Sequence, residues 1–187
     1  MIRSFIALDL PLVVKNEIEK LIAELRQSKP AVTWVKADRL HLTIKFLGNV
    51  PAESMDEIKA ALRDVASRSA AFRLQPSGCG AFPSLKQMRV IWAGLKGDQQ
   101  QLIALQTNVE AVLAPLGFAP EGRPFRAHLT LGRVKGPREM NSLQKALLAR
   151  QNFQAEAFDV TELVLYKSDL RPEGPLYTPL FRAILGT

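Results

Sequence analysis

Two side chains of one type carry the clearest chemical signal in the chain. His41 and His128 are its two histidines among 187 residues, and each begins His-Leu-Thr followed by an aliphatic residue. Residues 40–44 are Leu-His-Leu-Thr-Ile and residues 127–131 are Ala-His-Leu-Thr-Leu, so the histidines stand 87 positions apart, close to half the chain. A lone histidine on a strand is more often a packed structural residue than a catalyst. A matched pair in matched surroundings points instead to a duplicated functional strand. At a side-chain period of two, His41 and Thr43 share one face while Leu40, Leu42 and Ile44 occupy the other; His128 and Thr130 likewise oppose Ala127, Leu129 and Leu131. Each strand then offers an imidazole and a hydroxyl about 6.5–7 Å apart along the backbone. If the two strands face each other, both pairs converge on one cleft.

Two imidazoles at a small anionic centre suit phosphoryl transfer. A neutral ring takes a proton from the attacking hydroxyl, and a protonated ring gives one to the departing oxygen. An ordinary imidazole pKa of about 6.5 populates both forms near neutrality. The hydroxyls of Thr43 and Thr130 can donate to non-bridging phosphate oxygens, and a nearby cation can offset developing charge. Other chemistries lack their residues. No His-x-x-x-His or His-Glu-x-x-His spacing offers a metal site, so no metal and no cofactor is expected. Phosphate-cradling glycine motifs are missing too. The one cysteine, Cys79, permits neither an internal disulfide nor a multi-thiolate metal site, and its place between Gly78 and Gly80 predicts a turn.

The elements that must position these groups are legible from periodicity. Val14, Ile18, Leu21, Ile22 and Leu25 form one helical face after Pro11; Met55, Ile58, Leu62 and Val65 form another after Pro51. A third, Leu102, Leu105, Val109, Val112, Leu113 and Leu116, follows Asp98 as cap and closes at Gly117. Met140, Leu143 and Leu147 make a fourth after Pro137. Strand-like runs cover residues 5–10, 32–47, 89–95, 125–134, 160–166 and 176–185. Interleaved helices and strands without strict alternation predict an α+β fold dominated by antiparallel pairing. The repeat predicts two related lobes facing each other.

Composition sets the outer bounds. With 47% hydrophobic and 23% charged residues the chain is an ordinary globule, and its length predicts one domain spanning 1–187. No uncharged apolar run reaches membrane-spanning length, and the stretch before Asp9 is too short for a secretory signal. A cytoplasmic location is the expectation. The balance of 25 Lys+Arg against 18 Asp+Glu favours an anionic partner, but the cations are dispersed rather than clustered.

Together the two motifs, His41-Leu42-Thr43-Ile44-Lys45-Phe46-Leu47-Gly48 and His128-Leu129-Thr130-Leu131-Gly132-Arg133, resemble those of the 2H phosphoesterases. The resemblance is closest to the RNA 2′,3′-cyclic phosphodiesterase branch, historically called 2′-5′ RNA ligase. It extends over the whole chain, through Arg3-Ser4-Phe5-Ile6-Ala7-Leu8, Val90-Ile91-Trp92-Ala93-Gly94-Leu95 and Leu163-Val164-Leu165-Tyr166-Lys167-Ser168. It implies a bilobal, pseudo-twofold α+β fold with two mainly antiparallel sheets around a central cleft and helices outside. It also implies metal-independent hydrolysis of RNA 2′,3′-cyclic phosphate ends to 2′-phosphates, with reversible 2′-5′ ligation. His41 and His128 would be the catalytic residues, and Thr43, Thr130 and Arg133 would hold the phosphate. The expected partner is RNA with a cyclic phosphate end, tRNA fragments included, met by a monomer with no membrane association. Which histidine is the acid stays open.

Further residues carry weaker expectations. Strict alternation puts Arg133 on the face opposite His128, unless Gly132 introduces a bulge or the strand ends there. Lys45 shares the parity of His41 and is expected at the rim or in solvent, whereas Phe46 has core parity. Trp34 and Trp92 are expected in the core, while Tyr166 and Ser168 are weaker candidates for the cleft. Two competing functions fit the same residues: a cyclic phosphodiesterase for a small nucleotide or ADP-ribose cyclic phosphate, and an RNA-binding module with vestigial catalysis.

Overall fold

A computed structural model describes residues 1–172 and 174–186. In chain order the elements are β1 (Ile2–Asp9), α1 (Leu12–Leu25), β2 (Val32–Trp34), β3 (His41–Val50), α2 (Met55–Ser67), β4 (Phe72–Ser84), β5 (Gln87–Gly97), α3 (Gln99–Leu113), β6 (Leu129–Val134), α4 (Met140–Ala149), β7 (Phe158–Val160), β8 (Glu162–Asp169) and β9 (Leu176–Ile184). The four helices fall where the apolar stripes place them, and each buries its stripe: Val14, Ile18, Leu21, Ile22 and Leu25 on α1, for example. Gly117, at φ 89°, closes the short 3-10 turn after α3 in the left-handed conformation that glycine adopts without strain. Asp98 does occupy the cap position of α3. Its carboxylate, however, accepts the backbone N–H of Arg73 on β4 (2.8 Å) instead of capping the helix.

All strand pairings are antiparallel, in the order β7-β4-β5-β6-β3-β1-β8-β9, with β2 pairing β6 off this path. The fold is α+β, as expected. The two expected sheets are β7-β4-β5-β6 and β3-β1-β8-β9. One pair, Leu42 opposite Leu129, joins them into a continuous surface.

One large core lies on the helical side of this surface. Leu40, Leu42, Ile44, Leu129 and Leu131 pack there with the buried stripes of all four helices. Truncating such a side chain to alanine costs about 2–5 kcal/mol, so this face fixes both histidine strands firmly. A second, smaller cluster of Phe5, Ala7, Val164 and Tyr166, with Tyr177 packed against it, lies apart from the main core.

Two strands escaped the sequence reading. Pro76, Gly78, Gly80 and Pro83 made residues 72–84 resemble a loop, but β4 runs through them along β5 with register shifts between Pro76 and Cys79 and between Phe82 and Pro83. Cys79 therefore lies in a strand, not in a turn. Its thiol points at the carbonyls of Leu147 and Arg150, and burial pushes its pKa up to about 11. The other missed strand, β7, has only three residues.

Candidate active site

Antiparallel pairing at Leu42 and Leu129 builds the site. One residue to either side, the register puts His41 level with Thr130 and Thr43 level with His128, all four on the face away from the main core. Since Leu42 and Leu129 are themselves equivalent in the repeat, a local twofold axis passes between them. The two imidazole–threonine pairs are thus related by symmetry and meet at the centre of the sheet.

The rings are fixed alike. Nδ1 of His41 lies 2.8 Å from the carbonyl oxygen of Arg39, and Nδ1 of His128 lies 2.6 Å from that of Arg126. A carbonyl oxygen only accepts, so Nδ1 carries hydrogen in both rings and Nε2 is left to take or give a proton. These contacts lengthen the repeat to Arg-x-His-Leu-Thr, with Arg39 and Arg126 at equivalent positions. The matching arginines were present in the sequence as a signal, two residues ahead of each histidine.

Each ring also rests against aromatics that sequence reasoning did not assign to the site. His41 lies 4.8 Å from the ring of Phe5 and meets Tyr177 edge-on at 5.2 Å. Phe82 meets His128 edge-on at 5.1 Å, packs 5.3 Å from Trp92 and carries the guanidinium of Arg126 over its ring. Trp92 pairs with Thr130 across the strands and is only partly buried; its indole nitrogen is enclosed without a hydrogen-bond partner among the described residues. Trp34 packs against the main core.

A bulge on each histidine strand corrects three expectations. On β3 the partners run Ala7–Thr43 and then Ile6–Lys45, leaving Ile44 unpaired; on β6 they run Trp92–Thr130 and then Ile91–Gly132, leaving Leu131 unpaired. An extra residue reverses the parity of everything beyond it. Arg133 consequently returns to the face of His128 and is exposed, though the inserted residue is Leu131 and not Gly132. Gly132 instead makes room for a neighbouring strand. A Cβ there would come within 2.6 Å of Val32 and 3.0 Å of Trp34, so its absence admits β2 alongside. Phe46, the counterpart of Arg133, leaves the core and is 59% exposed. Lys45 turns inward instead of lying at the rim. Its side chain is 2% exposed, ion-paired with Glu110 of α3, and donates to the carbonyl of Ala119 at 2.8 Å.

The surroundings of His41 are charged as well as aromatic. Desolvation lowers its pKa below the ordinary 6.5, with the Arg39 carbonyl and Asp9 pulling upward and Lys15 downward. Asp9 is itself the cross-strand partner of His41. Burial pushes the Asp9 carboxyl up, but hydrogen bonds from Tyr166 and Lys15 outweigh it and leave the group more acidic than usual. The Tyr166 ring stacks on Phe5 at 5.3 Å and its hydroxyl donates to Asp9 at 2.8 Å, so Tyr166 supports the site from behind; Ser168 is buried. Tyr177 is raised by burial, against the opposing pull of Arg39, Arg133 and Arg3 nearby. No group of three or more His, Cys, Asp or Glu side chains is placed to hold a metal ion among the described residues.

Comparison with known proteins agrees with this geometry. The family model of the 2′-5′ RNA ligase superfamily matches residues 14–172. The chain belongs to this superfamily. It is 32% identical over 179 residues to the RNA 2′,3′-cyclic phosphodiesterase of Methanothermobacter thermautotrophicus, covering 96% of each chain. A crystal structure from Thermus thermophilus superposes with a TM-score of 0.81 at 26% identity, covering 98% of this chain and 97% of that one. E. coli LigT complexed with 3′-AMP gives 0.80 at 29% identity, covering 100% and 99%.

Proposed function

We propose that this chain hydrolyses RNA 2′,3′-cyclic phosphate ends to 2′-phosphates through His41 and His128, without a metal ion. One observation carries the reading: the Leu42–Leu129 pairing sets two imidazoles, each with Nδ1 held by a carbonyl and Nε2 left for proton transfer, beside two threonine hydroxyls on one face. The names of the superfamily relatives supply the substrate class.

In the proposed reaction water attacks phosphorus and loses its proton to one ring. The P–O3′ bond breaks, and the second ring protonates the departing O3′, leaving the phosphate on O2′. Thr43 and Thr130 donate to the non-bridging oxygens, and the Arg133 guanidinium offsets the charge that grows on them. A 5′-hydroxyl in place of water gives a 2′-5′ linkage by the same proton transfers, and the reverse reaction cleaves it. Exposed Phe46, on the same face, offers a ring on which a terminal base can stack, an interaction worth about 1–3 kcal/mol. A cytoplasmic monomer acting on RNA fragments, tRNA pieces among them, is consistent with the basic balance and the single cysteine.

The test is incubation with an RNA oligonucleotide ending in a 2′,3′-cyclic phosphate, in excess EDTA, comparing wild type with His41→Ala and His128→Ala. A 2′-phosphate, located by phosphatase sensitivity and NMR and made by wild type alone, is expected. An intact cyclic end, or activity that EDTA abolishes and one divalent metal restores, would overturn the proposal.

A further inference from the structure

The twofold relation between the histidines is broken at one neighbour. Leu8 faces Leu42 and Ala93 faces Leu129, so the next residue along each inner strand flanks a histidine: Asp9 beside His41, and Gly94 beside His128. A carboxylate thus adjoins one imidazole where the other has a residue with no side chain. Asp9 is held in place from three elements. Tyr166 of β8 donates to Oδ2 at 2.8 Å, Lys15 of α1 donates to Oδ1 at 3.2 Å, and Arg182 of β9 lies 3.6 Å from Oδ2 while also pairing with Glu162. Small Ala7 lies between Phe5 and Asp9 on β1, in the cluster that also holds Tyr166.

We propose that Asp9 is a positioning residue for His41 alone, its fixed carboxylate supporting the imidazolium whenever that ring holds the catalytic proton. It acts through space, since the Nδ1 contact of His41 is with the carbonyl of Arg39. The other groups facing the ring are Phe5 and Tyr177, with Lys15 as the nearby opposing cation. Two rings of identical covalent setting are thereby made electrostatically unequal, as a reaction needs when one ring must start neutral and the other charged. The inference deepens the proposed function and rests on it for the meaning of the proton.

The experiment reads the protons directly and so does not depend on turnover. Ring Cε1–H NMR titrations of wild type, Asp9→Asn and Lys15→Met follow both histidines at low ionic strength. Asp9→Asn should lower the His41 midpoint by about half a pH unit to one unit and leave His128 in place. Lys15→Met should move His41 the opposite way and serves as the second variant should Asp9→Asn misfold. The limb of the pH–rate profile assigned to His41 should shift with its midpoint. Equal movement of both rings, no movement of His41, or the same sign in both variants would overturn the proposal. Loss of turnover on cyclic phosphate ends in wild type, with the titrations as expected, would overturn the proposed function and leave the electrostatic relation standing.

Discussion

Leu42 of β3 faces Leu129 of β6, and the same two residues are counterparts in the internal repeat. The join between the halves therefore lies on the axis that relates them. Around it the halves exchange strands. β4 follows the helix of the first half but pairs with β5, and β8 follows the helix of the second half but pairs with β1. Neither half retains its sheet if the other unfolds.

This interlocking predicts a single cooperative unit spanning 1–187. Urea unfolding followed by tryptophan fluorescence and by far-ultraviolet circular dichroism should give coincident transitions. Trp34 and Trp92 flank β6 while the helices span both halves, so separate midpoints would reveal lobes that unfold independently.

Lys45 and Glu110 form an ion pair with little solvent to share, and Gln106 donates to the second carboxylate oxygen at 3.1 Å. Removing one partner strands a buried charge. Lys45→Met should cost about 3–5 kcal/mol, and Lys45→Met/Glu110→Leu should recover most of it. Chemical denaturation of both variants measures the difference. A double variant as unstable as the single would mean that the packing of the lysine stem, not its charge, is what α3 requires.

What the sequence hid, it hid for local reasons. Periodicity alone located the four helices, and the duplicated His-Leu-Thr located the site, because both are properties of residue order. A bulge is not: Ile44 and Leu131 look like any alternating strand residue, and only the cross-strand partners show that each is extra. From that one miss follow the misplaced Lys45 and Phe46 and the parity conflict at Arg133. Phe5, Phe82 and Tyr177 were invisible for another reason, since they reach the histidines from other strands and no sequence spacing connects them. β4 was lost to its prolines and glycines, whose breaker signal is real and is expressed as bulges inside the strand.

The threonines lie at symmetric positions beside the rings, and the proposed role makes both donors to the phosphate. Thr43→Val and Thr130→Val should each lower kcat by about 10-fold to 1,000-fold with an unchanged fold, because valine keeps the shape and loses the hydroxyl. Arg133→Ala should add to these losses, as its bulge-directed side chain faces the same centre. Wild-type rates in both threonine variants would remove the hydroxyls from the reaction.

Desolvation of His41 has a consequence for stability. Its folded pKa lies below the ordinary 6.5, so between the two values the unfolded chain binds more protons than the native one. The contribution is complete above pH 6.5 and is lost as pH falls through the folded value. Wild type should lose stability between about pH 7.5 and 5 more steeply than His41→Gln, measured by urea unfolding. Parallel curves for the two proteins would place the neutral preference of this ring elsewhere.

The two histidines act as a unit in the proposed reaction, since proton removal and proton delivery belong to one displacement. Each single alanine variant should lose about 100-fold to 10,000-fold in kcat on a cyclic-phosphate RNA end. Once either transfer is missing, the other ring has little left to contribute, so His41→Ala/His128→Ala should be scarcely slower than the worse single variant. Steady-state kinetics of the four proteins completes the cycle. Multiplicative losses in the double variant would mean that the rings act in separate steps, and the symmetric pairing at Leu42 and Leu129 would then bring together two independent groups rather than one acid–base pair.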